Sequence, residues 1–159
     1  MGLARYCDLS HVLLRYYLAV VNHRYDWTSL YGFVDPSTGR TEWLILPRVN
    51  VEWFNQALAV FARQIGAGPN KQILLVIDGA DWHRSDDVVV PEGIHLELLP
   101  PYSPELQPAE RLWQVADEPV VNRCFDTIDE LEDLLCERCI TLLSMTDEIR
   151  ALTNYHWWP

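Results

Sequence analysis

The sequence predicts an α/β domain, a mixed sheet flanked by helices, and three observations carry that expectation. Residues 27–34 and 41–46 are aromatic and β-branched runs on either side of Asp35-Pro36-Ser37-Thr38-Gly39, a turn in which proline fixes φ and glycine accepts a positive one. Residues 50–65 carry Phe54, Ala57, Leu58, Phe61 and Ile65 three and four apart, the period of an amphipathic helix. Residues 73–77 and 94–99 are short apolar runs, too short for lone helices, that read as strands buried in a sheet.

Each element has its own signals. Residues 1–19 are the least regular: Ser10 could cap a short helix carrying Val12, Leu13, Tyr16 and Tyr17, yet the same residues would also make a strand. The runs around the Asp35 turn form a hairpin. Asn50 caps the helix, and Gly66, Gly68 and Pro69 end it. A helix arriving before the Ile73 run makes a crossover of the kind that gives parallel strands. Pro100 and Pro101 stop the second run, and Pro108 at a first helical position places Glu110 in the first turn, with Leu112, Trp113 and Ala116 behind it. After Trp113 the chain reads as helical. Thr127-Ile128-Asp129-Glu130 is a capping box for a helix with Leu131, Leu134, Leu135, Cys139 and Leu142 on one face, and a last helix starts near Asp147.

Composition limits the function. With 49% hydrophobic residues, seven Trp and seven Tyr, the 159-residue chain suits one packed domain. Its 23 acidic against 12 basic residues give a net charge of −11, which argues against the chain gripping a DNA backbone by itself. In a nuclease built on clustered carboxylates, cations offset part of that charge and a separate basic module can supply affinity. Cys136-Glu137-Arg138-Cys139 is read as two thiols one helical turn apart, because a zinc site needs a second pair or spaced histidines. Residues 12–21, broken by Arg15, Tyr16 and Tyr17, fall well short of the ~20 apolar residues of a membrane span. No signal peptide is evident, so the expected compartment is reducing and cytoplasmic, with no membrane partner.

Two acids stand out. Asp78 ends the Ile73–Ile77 run where it meets Gly79, at the rim where α/β sheets bind ligands. Glu110 sits in a helix's first turn, where the helix dipole favours a carboxylate. One strand returns between them, so both can reach one edge of the sheet and share a divalent cation. The alternative is a strand-terminal Asp capping the next turn and a surface Glu. Asp35 is read as a turn residue rather than a third metal ligand.

LVIDGADWHRS followed by LPPYSPELQPAERLW resembles the second and third acidic motifs of mariner-like insertion-sequence transposases, in the DDE endonuclease superfamily. The resemblance runs from about His23 to Pro159 and is strong between Leu75 and Trp113. It implies a ribonuclease H-like fold, a DNA partner at transposon ends, a possible homodimer, and a two-metal Mg²⁺ or Mn²⁺ site. It makes Asp78 the second catalytic, metal-binding carboxylate and Glu110, not Glu105, the third. His83, five residues after Asp78, would touch phosphate or orient an acid, and Arg84 and Arg111 are the nearest cations for DNA. Gly79 stands where Asn is commoner, and Asp81 is an extra acid.

The family's first strand, which ends in Asp-Glu, has no counterpart in residues 1–19, nor does its helix-turn-helix. The expectation is therefore an atypical segment over 1–19 and the remainder of a catalytic domain over 20–159, N-terminally truncated and lacking its central first strand. Residues 12–22 are expected to fill part of that gap, and Asp8 is the only substitute acid there. Such a chain is expected to be inactive alone. The competing reading is a non-catalytic, transposase-derived protein acting through a protein partner or without function.

Overall fold

The computed structural model describes residues 27–101, 103 and 106–155. The expectations for residues 1–19 and 12–22, and the place of Asp8, lie outside them. Two strands, β1 (Ser29–Asp35) and β2 (Arg40–Leu46), form the antiparallel hairpin, with Ser29 opposite Leu46 and Asp35 opposite Arg40. Helix α1 (Val51–Ile65) leads to β3 (Ile73–Ile77), which pairs in parallel with β4 (Ile94–Leu98). Among the described residues the four strands form two separate pairs, one antiparallel and one parallel. The C-terminal part holds α2 (Leu112–Ala116), α3 (Ile128–Ser144) and α4 (Thr146–Thr153).

The hairpin turn works as its residues predict. Asp35 Oδ1 accepts from Ser37 N at 2.9 Å and Ser37 Oγ at 2.7 Å, and Oδ2 accepts from Thr38 Oγ1 at 2.6 Å. Both oxygens serve the turn. Gly39 has φ +72°, and a Cβ there would fall 2.8 Å from the Arg150 backbone nitrogen of α4.

Side-chain alternation along β1 gives the hairpin two buried faces. Tyr31 and Phe33 face α1, where Phe33 stacks on Phe61 with centroids 4.1 Å apart, and this core continues through Phe54 and Leu58 to Ile73, Leu75 and Ile77. Leu30 and Val34 face Trp113, Leu131, Leu135, Cys139, Leu142 and Ile149 of the C-terminal helices. β3 is buried more on one face than the sequence suggested, since Leu74 is 39% exposed.

Helix boundaries follow local chemistry. Asn50 Oδ1 accepts from Trp53 N at 2.8 Å, and the helix ends at Gly66. Asn50→Ala should therefore cost about 1 kcal/mol, read as a shifted urea midpoint with an unchanged slope. Thr127 Oγ1 accepts from Glu130 N at 3.2 Å, while Glu130 Oε2 reaches back to Asp126 N at 3.1 Å, one residue earlier than a standard capping box. The chain after Trp113 is not continuously helical: α2 stops at Ala116, because Pro119 has no N–H to give Val115 O, which accepts from Arg138 Nε at 2.7 Å instead. Of the two nearby thiols, Cys136 is exposed and Cys139 buried, and burial, reinforced by Cys136, pushes the Cys139 thiol up to about 12. It stays protonated, as a structural thiol does. Among the described residues no helix is long and apolar enough to cross a membrane.

Candidate active site

The carboxyl ends of β3 and β4 lie side by side because the strands are parallel, and the Leu99 N–H extends the ladder to Ile77 O at 2.8 Å. A cleft of about 430 Å³ opens there. Asp78, Gly79 and Arg84 line it from the β3 side, Pro100 and Pro101 from the β4 side, and Gln107 and Glu110 from the next segment. That segment is a 3₁₀ turn, Pro108–Arg111, with proline at its start and Glu110 in its first turn. Two carboxylates on separate elements thus share one cleft. Glu105, the rival of Glu110, lies outside the described residues.

Asp78 is held from below. Its Oδ1 accepts the Ala80 N–H at 3.0 Å and faces His83 Nδ1 at 2.7 Å. His83 sits in a 3₁₀ turn, Asp81–His83, with its side chain fully buried against Phe54 (ring centroids 4.5 Å apart) and Trp82 (5.6 Å). Its Nε2 is buried with no hydrogen-bond partner among the described residues. A proton on Nδ1 then serves Asp78, and a bare Nε2 avoids burying an unpaired N–H. The ring lies buried beneath the cleft, and its 2.7 Å contact with Oδ1 holds the direction of the Asp78 carboxylate.

The two arginines divide. Arg84 is exposed on the cleft and its guanidinium lies across Gly79, where a Cβ would fall 2.8 Å from Cζ. The departure from Asn at position 79 is what leaves this room. Arg111 is not on the cleft wall. Its Nη1 donates to Leu152 O at 3.2 Å and its guanidinium stacks 4.5 Å over the Tyr155 ring, fastening the 3₁₀ turn to the end of α4.

Sequence reasoning missed Gln107, a buried residue of the cleft wall, because it fills a motif slot that specifies no residue type. Hard oxygen donors at Asp78 and Glu110 suit Mg²⁺ or Mn²⁺, which bind through one or two carboxylates and complete their shell with water and phosphate. Among the described residues no group of three or more His, Cys, Asp or Glu could hold a metal. The two carboxylates on the cleft, Asp78 and Glu110, are the donor type such an ion takes.

Residues 15–132 match the family described as DDE superfamily endonuclease. The chain belongs to that family. A curated relative from Sinorhizobium fredii (strain NBRC 101917 / NGR234), the uncharacterized protein y4pE/y4sA, is 32% identical over 132 residues, covering 82% of this DDE-family chain and 96% of the relative. The catalytic domain of Mos1 mariner transposase superposes with a TM-score of 0.54 at 15% identity, over 97% of this chain and 86% of that one. The catalytic core domain of BIV integrase gives 0.51 at 16%, over 85% and 82%. The fold is thus the ribonuclease H-like one of transposase and integrase catalytic cores. Divalent metals are general to the DDE superfamily.

Proposed function

We propose that residues 20–159 of this chain belong to the catalytic domain of a transposase that cleaves and joins DNA at transposon ends, with Asp78 and Glu110 as metal-binding catalytic carboxylates. The observation carrying this is the placement of both acids, from separate elements, on one cleft at the carboxyl edge of a parallel strand pair. Mg²⁺ or Mn²⁺ bound there would activate the attacking oxygen and stabilise the leaving one at phosphorus. His83 fixes the direction of Asp78, and Arg84 offers a guanidinium to a phosphate at the cleft mouth.

The test is a Mn²⁺ titration followed by calorimetry on the unmodified chain, Asp78→Ala and Glu110→Ala. Weak binding is expected, and each substitution should lower affinity by at least roughly 10–100-fold, the range lost when only a supporting group behind the ligands is removed. Equal affinity in all three would overturn the assignment. A second reading, a non-catalytic transposase-derived protein acting through a protein partner, is favoured by one fact: no three-ligand group forms among the described residues. Undiminished Mn²⁺ affinity in both variants would leave that reading standing.

A further inference from the structure

The backbone does not require glycine at position 79. Among the described residues the left-handed glycines are Gly39, Gly66 and Gly93, so alanine could adopt the Gly79 backbone and would leave the unfolded chain less freedom to lose on folding. The missing Cβ matters for one neighbour instead. The three atoms nearest to where it would stand all belong to the Arg84 guanidinium, with Cζ at 2.8 Å and Nε at 2.9 Å. They lie at the far end of a flexible side chain, so a Cβ would move the guanidinium rather than the fold.

Arg84 is exposed, and it and Gly79 both line the cleft that holds Asp78 and Glu110. Among the described residues its guanidinium forms no ion pair and donates no hydrogen bond, so its place comes from lying against the bare backbone. The N–H fork is left for a ligand, in the geometry that grips a phosphate through two oxygens. A cation beside two acids, tied to neither, suits an anion that arrives with a metal ion. A phosphodiester does so. We propose that Gly79 is a positioning residue, whose absent side chain seats the Arg84 guanidinium on the cleft wall to bind a non-bridging oxygen of a DNA phosphodiester. This rests on the metal and phosphate reading of Asp78 and Glu110.

The test is a double-mutant cycle of Gly79→Ala and Arg84→Ala, read by the anisotropy of a fluorescently labelled short DNA duplex at low ionic strength with Mg²⁺. Each single variant should bind the duplex about tenfold more weakly, a typical loss for one hydrogen bond to a charged group. The double variant should be no weaker than Arg84→Ala alone, because the glycine acts only through the arginine. Two readouts separate this from damage to the fold or the metal site. The melting temperature of Gly79→Ala should hold or rise by about 1–4 °C, as where alanine fits the backbone, and its Mn²⁺ affinity should be unchanged. Unchanged duplex affinity in Gly79→Ala overturns the inference. So does a further loss in the double variant, or a lowered Mn²⁺ affinity in Gly79→Ala, which would place the effect on Asp78. Each of these leaves the metal reading standing, since the Asp78→Ala and Glu110→Ala titrations test it separately. Absence of duplex binding by the unmodified chain also overturns the inference. Should Gly79→Ala fail to fold, the Gly79 N–H and Arg84 Nε–H resonances of the unmodified chain decide. Both should shift when the duplex is added, and unmoved resonances reject the contact.

Discussion

The 159-residue chain, purified and incubated with Mn²⁺ and DNA bearing candidate transposon ends, is expected to leave that DNA uncut and unjoined. The reaction is an in-line displacement at phosphorus, where placed charge supplies most of the acceleration, so its rate follows the number of groups holding the cations. Asp78 and Glu110 supply two carboxylates on the cleft, Asp35 commits both oxygens to the hairpin turn, and no three-ligand group forms among the described residues. Removing one preorganised group from such a site commonly costs ~10²–10³ in rate. Losing a metal ligand should cost at least as much. The net charge of −11 lowers affinity for the DNA backbone further at physiological salt. The control is Asp78→Ala. Cleavage by the unmodified chain that disappears in the control would reveal a substitute third ligand, with Asp8 the first to test, and the inactive reading would be abandoned.

Much of this fold is legible in the sequence because its signals are local. The turn at Asp35, the Asn50 cap, the apolar run at Ile73 and the Pro108 start each act within a few residues, and the structure places elements at each of them. Asp78 and Glu110 are legible for the same reason, since one ends a strand and the other opens a turn. The sequence is less informative where a side chain's role depends on a distant partner. Arg111 looks like a free cation until Leu152, 41 positions away, is brought to it. For His83 a phosphate-contacting and an acid-orienting reading both stand until the 3₁₀ turn folds it under Asp78 and onto Phe54. A clue was present there: an acid followed by a tight Gly-Ala turn can receive a ring five residues on. For Gln107 no such clue exists, because burial without a hydrogen-bond partner is a property of the assembled cleft.

Phe54→Ala is expected to lower folding stability by about 3–5 kcal/mol, the range for deleting a buried aromatic ring. Phe54 is completely buried, in the core that joins the hairpin to β3, and its ring lies 4.5 Å from that of His83. Its loss would leave a cavity beneath the histidine. Domains are stable by only about 5–15 kcal/mol, so this one change removes a large share, and urea denaturation would read it directly. The effect should also reach the cleft. His83 has no hydrogen-bond partner at Nε2 among the described residues, so its ring is positioned by packing from Phe54 and Trp82 and by its bond to Asp78. A ring free to tilt into the cavity holds the carboxylate less firmly, and Mn²⁺ affinity should fall by roughly 10–100-fold, as when a supporting residue behind a metal ligand is lost. Phe54→Leu keeps more of the volume and should retain both more stability and more affinity. A loss below about 1 kcal/mol in Phe54→Ala would mean the site collapses onto the gap. Unchanged Mn²⁺ affinity in the folded variant would show that Asp78 keeps its direction without the ring beneath its histidine.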